Sequence, residues 1–285
     1  MTNAAVIQVA GDNADNQITV RGLEHGHANA VQGPFGLAGK EFDFAIGLEL
    51  SKVRRGASQW SIGMPLKLTD MAGGESRIWL DQAGRKLGVN LAGDHAAVID
   101  LNDPTKRVRL QPHPKHHYVA LSPDGRWAAT GTFQGNGVRV CDATTGELAA
   151  DLIPEGVSAT VAFSPDGKWL VSGTGIEYCF FEVGTWQLSH RVARDRAGNR
   201  PGHIAFTRDG RLAAIAHSRP LVDLIDPHTG RLFATLEPPN PGKLGWLSFA
   251  PDGGYLAAVA DSTIHLWDVC HIREQLAEMR LDWRN

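Results

Sequence analysis

Four stretches of this chain repeat one phrase with small changes: ALSPDGRWAATG at 120–131, AFSPDGKWLVSG at 162–173, AFTRDGRLAAIA at 205–216 and SFAPDGGYLAAV at 248–259. The phrase weakens to WLDQAGRKLGV around Gly84 and FGLAGKEFDFA around Gly39. Aligned on their glycines, the six copies are spaced by 45, 41, 42, 43 and 43 residues. A fixed period of about 40–45 residues marks stacked structural repeats, each with room for four short strands.

Each copy has a physical reading. In SPDG, proline fixes the backbone at the second turn position, aspartate is tolerated next, and glycine takes the left-handed conformation of a tight hairpin. A short apolar strand such as ATVAF precedes the turn. The run after it, KWLVSG or YLAAVA, is apolar on both faces, as in a strand covered from two sides. A third strand follows (GVRVCD, EYCFFE, LVDLID, TIHLWD), and after most copies a second turn (ATTGEL, VGTWQL, PHTGRL) leads to a fourth, such as LFATLEP. The expected fold is all-β, with four-stranded antiparallel blades stacked into a propeller whose closure limits exposed edges. Trp127 and Trp169 hold the position of Leu212 and Tyr255 in sister copies, which points to packing between blades.

IHLWD at 264–268 ends in the pair Trp267-Asp268. With the hairpin phrases, it gives the chain a resemblance to the WD-repeat β-propeller family over at least residues 34–269. The tryptophan position reads Ile99, Cys141, Phe181 and Ile225 in other units, although an acid follows each time (Asp100, Asp142, Glu182, Asp226). The family's Gly-His pair is absent at its usual offset, since Gly202-His203 lies too close to the next turn. Residues 1–33 carry AAVIQVAGDNADNQITVRGLE, which reads as the second and third strands of an incomplete first blade. Seven blades are favoured over six, in a single propeller domain spanning 1–269. Ile272, Leu276 and Met279 recur at helical spacing, so a short amphipathic helix and tail are expected over 270–285. That tail, with Trp267, Asp268, Ile272, Arg273, Leu276, Leu281, Asp282 and Trp283, resembles the segment after WD-repeat regions of large bacterial proteins, many of them linked to serine/threonine kinases.

Charge and cysteine content narrow the classes. A net charge of -3 offers no basic footprint for nucleic acid. Cys141, Cys179 and Cys270 lie far apart without a C-x-x-C pair, which suits reduced thiols in the cytoplasm. No run reaches the ~18 apolar residues of a membrane span, and the first sixteen residues lack the pattern of a secretory signal. No phosphate loop, zinc-protease helix, nucleophile elbow, dinucleotide fingerprint or kinase catalytic loop is present. The expectation is therefore a non-enzyme with no cofactor and no metal, probing neither nucleic acid nor membrane, and monomeric.

Several local clusters carry residues of functional types. QPHPKHHY places His113, His116 and His117 together, but in a proline-broken loop without an acid or cysteine to complete a metal site. His25 and His27 are weaker, and Asp12 and Asp15 lack the terminal glutamate of a calcium loop. RVARDRAGNR reads first as a solvated connection, and more sharply as a patch for an acidic peptide or phosphate. Phe133-Gln134, in the glycine loop GTFQGNG, has no counterpart in sister repeats and is expected to be an exposed contact anchor. The family resemblance implies that the loops joining fourth to first and second to third strands share one face. That face gathers His113, His116, His117, Phe133, Gln134, Arg194, Arg196, Arg200 and Lys243 as candidates for binding a protein or peptide. The leading expectation is a protein-interaction platform, alone or as the sensor region of a larger signalling protein. The enzyme alternative is a propeller hydrolase such as a lactonase, with its site at the mouth of the central channel.

Overall fold

The computed structural model describes the strands from Val6 onward and, with their side chains, residues 79–280 apart from short breaks at 92–94, 134, 154–155, 196–199, 219, 239–241 and 261–262. A hairpin of β1 (Val6–Ala10) and β2 (Gln17–Arg21) comes first. Next are β3 (Glu41–Ile46), β4 (Glu49–Arg55), β5 (Trp60–Ile62) and β6 (Leu66–Lys67), with β5 and β6 both pairing with β4. Four-stranded antiparallel meanders follow: β7 (Ile78–Leu80) to β10 (Arg107–Arg109) through β8 (Lys86–Leu91) and β9 (His95–Asp100), and β11 (His116–Leu121) to β14 (Leu148–Ile153) through β12 (Trp127–Thr132) and β13 (Val138–Asp142). Two more are β15 (Thr160–Phe163), β16 (Trp169–Gly173), β17 (Glu177–Glu182) and β18 (Leu188–Ala193), then β19 (Ile204–Phe206), β20 (Ala213–Ala216), β21 (Val222–Ile225) and β22 (Leu232–Leu236). A three-stranded sheet of β23 (Leu244–Phe249), β24 (Tyr255–Ala260) and β25 (Thr263–Asp268) leads into helix α1 (Val269–Glu278). The described residues thus hold five four-stranded sheets, one of three strands and one of two.

The period of two along each strand divides its side chains between two interfaces. Along β11, Val119 and Leu121 join Ala96 and Val98 of the preceding sheet, while Tyr118 and Ala120 join Val161 and Phe163 of the following one. Likewise Cys179 and Phe181 of β17 face backward, whereas Tyr178 and Phe180 pack forward on Ile204, Ala213 and Ile215. Full burial of a side chain such as Phe180 contributes about 1.5–3 kcal/mol. The doubly apolar strands of the sequence are therefore the strands sandwiched between blades.

The hairpin glycines take the required conformation: φ is +68° at Gly125, +73° at Gly167, +70° at Gly210 and +75° at Gly253. Three of these turns carry a side-chain lock, the Gly253 turn having Ala250 at the hydroxyl position. Ser164 is fully buried; its hydroxyl donates to Asp166 Oδ1 at 2.6 Å and accepts from Trp169 N–H at 2.9 Å, while Lys168 N–H donates to the same carboxylate oxygen at 3.1 Å. Ser122 with Asp124 and Thr207 with Asp209 repeat this arrangement.

The acid closing each third strand also has a repeated task. Asp142 Oδ1 accepts from Thr144 and Thr145 N–H, and Asp226 Oδ1 from His228 N–H, turning the chain into a fourth strand. In the last unit Asp268 accepts from His271 N–H and caps α1 instead. A helix thus follows β25 where the sister units have a fourth strand, and Ile264 and Leu266 on β25 are 70% and 64% exposed.

Candidate partner-binding face

Two ends of the stacked sheets differ in chemistry. The turn end carries the repeated hairpins; the loop end carries the connections β10–β11, β12–β13, β14–β15, β16–β17, β18–β19, β20–β21 and β22–β23. At two junctions of the loop end, a sheet is stitched to the next through a Gly-Thr pair, Gly131-Thr132 and Gly173-Thr174. Ala159 N–H donates to Thr132 O at 2.8 Å, and Gly202 N–H to Thr174 O at 3.1 Å. Gly131 and Gly173 permit this approach, since a Cβ there would lie 2.3 Å from Ala159 O or 2.2 Å from Gly202 O.

Beyond the stitches, the corresponding second-to-third-strand loops of two adjacent sheets each display a large apolar side chain. Phe133 follows Gly131-Thr132 and is 44% exposed; Ile176 lies two residues after Thr174 and is 55% exposed. His117 packs beside Phe133 with ring centroids 5.8 Å apart, and Ser158 Oγ donates to Phe133 O at 2.6 Å, so the loop is braced from two sides. Farther along the same end the His203 and Trp246 rings lie 4.7 Å apart. His217 Nδ1 is 2.9 Å from Asp223 Oδ2, without hydrogen-bond alignment, and its Nε2 is 3.7 Å from the exposed Asp195.

Two of the candidates, His113 and Arg194, are buried structural groups on segments that otherwise face solvent, which corrects their place on an exposed binding face. His113 is only 2% exposed. Its Nε2 faces the carbonyl of Asn136 at 2.9 Å and therefore carries the proton, leaving Nδ1 to accept from Thr130 Oγ1 at 2.7 Å. Both nitrogens are engaged, and burial holds its pKa below the usual histidine value. Arg194 is 9% exposed. Its guanidinium donates to the carbonyls of Ala216 at 2.7 Å and of Thr174 and Arg200 at 2.8 Å each, so it clamps neighbouring sheets together. Beside it, buried Tyr178 places its hydroxyl 2.9 Å from His203 O and 3.0 Å from Ala216 O, and desolvation pushes its pKa up strongly. A solvated loop needs no such network. These two side chains were drawn into the interior because the connections they sit on must satisfy buried carbonyls.

The remaining candidates divide. Phe133, Arg200 and Lys243 are exposed at the loop end, and His116 and His117 are half-buried there. His116 Nδ1 lies 3.0 Å from His113 O and acts as its donor. Gln134 and Arg196 fall outside the described residues. No group of three metal-ligating side chains occurs among the described residues. Ile176 escaped sequence reasoning, although an isoleucine between two strands, directly after SGTG in VSGTGIEY, is a visible exception to polar turns.

The WD domain, G-beta repeat family matches residues 155–175 and 230–268. Among solved structures, the chain is similar to Kuenenia stuttgartiensis hydrazine synthase at 20% sequence identity and a TM-score of 0.53, covering 64% of this chain. The similarity spans 54% of that protein's chain and concerns the fold alone. No curated protein sequence matches. No helix among the described residues is long and apolar enough to cross a membrane.

Proposed function

We propose that this WD-repeat β-propeller is a protein-interaction platform whose contact surface is the loop end bearing Phe133 and Ile176. WD-repeat propellers commonly bind protein partners, and one observation supports this choice of surface: two large apolar side chains stand exposed at matching loops of adjacent sheets. Isolated exposed apolar residues need no explanation, but anchors held on braced loops and rimmed by polar groups are typical of binding hot spots. Beside Ile176, whose carbonyl accepts from Arg194 N–H, the β18–β19 connection carries the exposed Asp195 and Arg200. In this reading the chain acts without catalysis, as a cytoplasmic monomer, either alone or as the sensor or scaffold region of a longer bacterial signalling protein. Native mass in the source organism distinguishes those contexts.

The test compares wild-type chain with Phe133→Ala/Ile176→Ala as baits in extracts of the native organism. A partner retained by wild type and lost by the variant, at unchanged thermal midpoint, supports the assignment. Equal retention by both baits rejects this face.

A further inference from the structure

The turn end holds a cavity of about 830 Å³ between the sheet of β19–β22 and that of β23–β25, walled on one side by the first turns of α1. Its volume falls within the usual range of ligand sites. Leu212, Phe233 and Val269 supply apolar wall, and Arg208, Arg211 and Arg273 add three guanidinium groups. Three carboxylates, Asp209, Asp226 and Asp252, also line it, so the wall is neutral overall when His228 is neutral.

The two signs of charge are unequally committed. Asp209 Oδ1 accepts from Thr207 Oγ1 and Arg211 N–H, Asp226 spends Oδ1 on His228 N–H and Oδ2 on Thr229 Oγ1, and Asp252 Oδ1 accepts from Gly254 N–H. Among the described residues, no hydrogen bond engages the guanidinium of Arg208 or Arg211, and Oδ2 of Asp209 and of Asp252 accepts none; against burial, which raises it, the bonds from Thr207 and Arg211 N–H and the charge of the Arg211 guanidinium hold the Asp209 carboxyl below its usual pKa. The cavity therefore presents the guanidinium donors of Arg208 and Arg211 without hydrogen-bond partners, a few acceptor oxygens and apolar wall together. The amide end of α1, at Val269 and Cys270, adds partial positive charge.

A peptide supplies all three complements: carboxylates for the arginines, backbone N–H groups for the aspartates, and apolar side chains for the wall. A phosphoryl dianion suits the arginines, but it brings up to twice the charge of a carboxylate against the three carboxylates of the wall and offers neither N–H donors for them nor an apolar group for Leu212, Phe233 and Val269. We propose that this cleft is a second docking site, distinct from the loop end, for an acidic peptide segment in which a glutamate or aspartate adjoins large apolar residues. The carboxylate is held by Arg208 and Arg211, and its apolar neighbour rests on Leu212, Phe233 and Val269.

The test is fluorescence polarisation on the full chain with three labelled peptides, GSLEFSG, its glutamine counterpart GSLQFSG and its phosphoserine counterpart. The glutamate peptide binds saturably. The glutamine peptide, and the glutamate peptide on Arg208→Ala/Arg211→Ala, bind about tenfold more weakly or less, as expected for loss of a charge-assisted pair. Phe133→Ala/Ile176→Ala retains wild-type affinity, which separates this site from the loop end. Both arginines are exposed, so unchanged thermal midpoints are expected, and Arg208→Gln provides a milder variant with the same direction of effect. Absence of saturable binding by the glutamate peptide, equal binding of the glutamine peptide, or indifference to the arginine substitutions overturns the site. Tighter binding of the phosphoserine peptide overturns the choice of carboxylate.

Discussion

Replacing Gly173 by alanine tests the way neighbouring sheets meet. Gly173 ends β16, and a Cβ there would lie 2.2 Å from Gly202 O, 2.8 Å from Thr160 Oγ1 and 2.8 Å from Tyr178 Cε1. None of these is the loose end of a flexible side chain: one is backbone, and Tyr178 is fully buried with its hydroxyl beside two carbonyls. Restoring ordinary contact at 3.4 Å requires the sheets to part by more than 1 Å, since 3.4 − 2.2 is 1.2. Overpacking of this kind costs about 1–3 kcal/mol. The bonds from Gly202 N–H to Thr174 O and from Thr160 Oγ1 to Gly202 O are strained as well, at about 1 kcal/mol each. The less flexible unfolded chain returns about 0.4–1 kcal/mol, leaving a net loss of about 2–5 kcal/mol. The matched control is Gly167→Ala, at φ +73° with nothing within 4 Å of its new Cβ; there only the left-handed conformation is penalised, for a loss of about 1–2 kcal/mol. Urea midpoints at equal m-value give both numbers. Equal losses in the two variants, or a Gly173→Ala midpoint matching wild type, would refute this account of the sheet contact.

Other outcomes follow from the same geometry. Burial raises the Cys141 thiol pKa and pushes that of Cys179 up to about 12, whereas Cys270 is exposed; a disulfide reagent at pH 8 should titrate one thiol rapidly in the native chain and three after denaturation. His113 is held neutral by burial, so the unfolded chain takes up its proton first: its stabilising contribution is complete above pH 6.5 and declines as pH falls below that value. His113→Gln should reduce the acid-side slope of stability against pH by up to about 1.4 kcal/mol per pH unit. Ser164→Ala removes a buried hydroxyl that both donates and accepts within its turn, and should lower stability by about 1–3 kcal/mol in a urea titration.

Much of the architecture was legible because the repeated residues act locally. SPDG dictates a left-handed glycine wherever it occurs, and the strands around it fall where their apolar runs lie. The two-stranded hairpin of β1 and β2 and the helix after Asp268 were likewise visible in the letters. The serine and aspartate of the phrase do more than suit a turn, forming a hydrogen-bonded lock that propensity alone does not announce. The candidate face was less legible, for a physical reason. Whether His113 or Arg194 points to water depends on carbonyls supplied by Asn136, Thr174 and Ala216, which come from other strands and loops. Polar letters in a loop do not reveal that debt. Ile176 shows the reverse case, an apolar letter left outside because the Gly-Thr stitch turns the chain before it can be covered.

The central claim, that the loop end is where a partner docks, is tested most directly by a photocrosslinking amino acid placed at Ile176, with Arg126 at the turn end as control. Irradiation in cells of the source organism should yield a discrete adduct from position 176, removed by Phe133→Ala, and none of that mass from position 126. A chain that captures the same protein from position 126 but not from position 176 contradicts the claim.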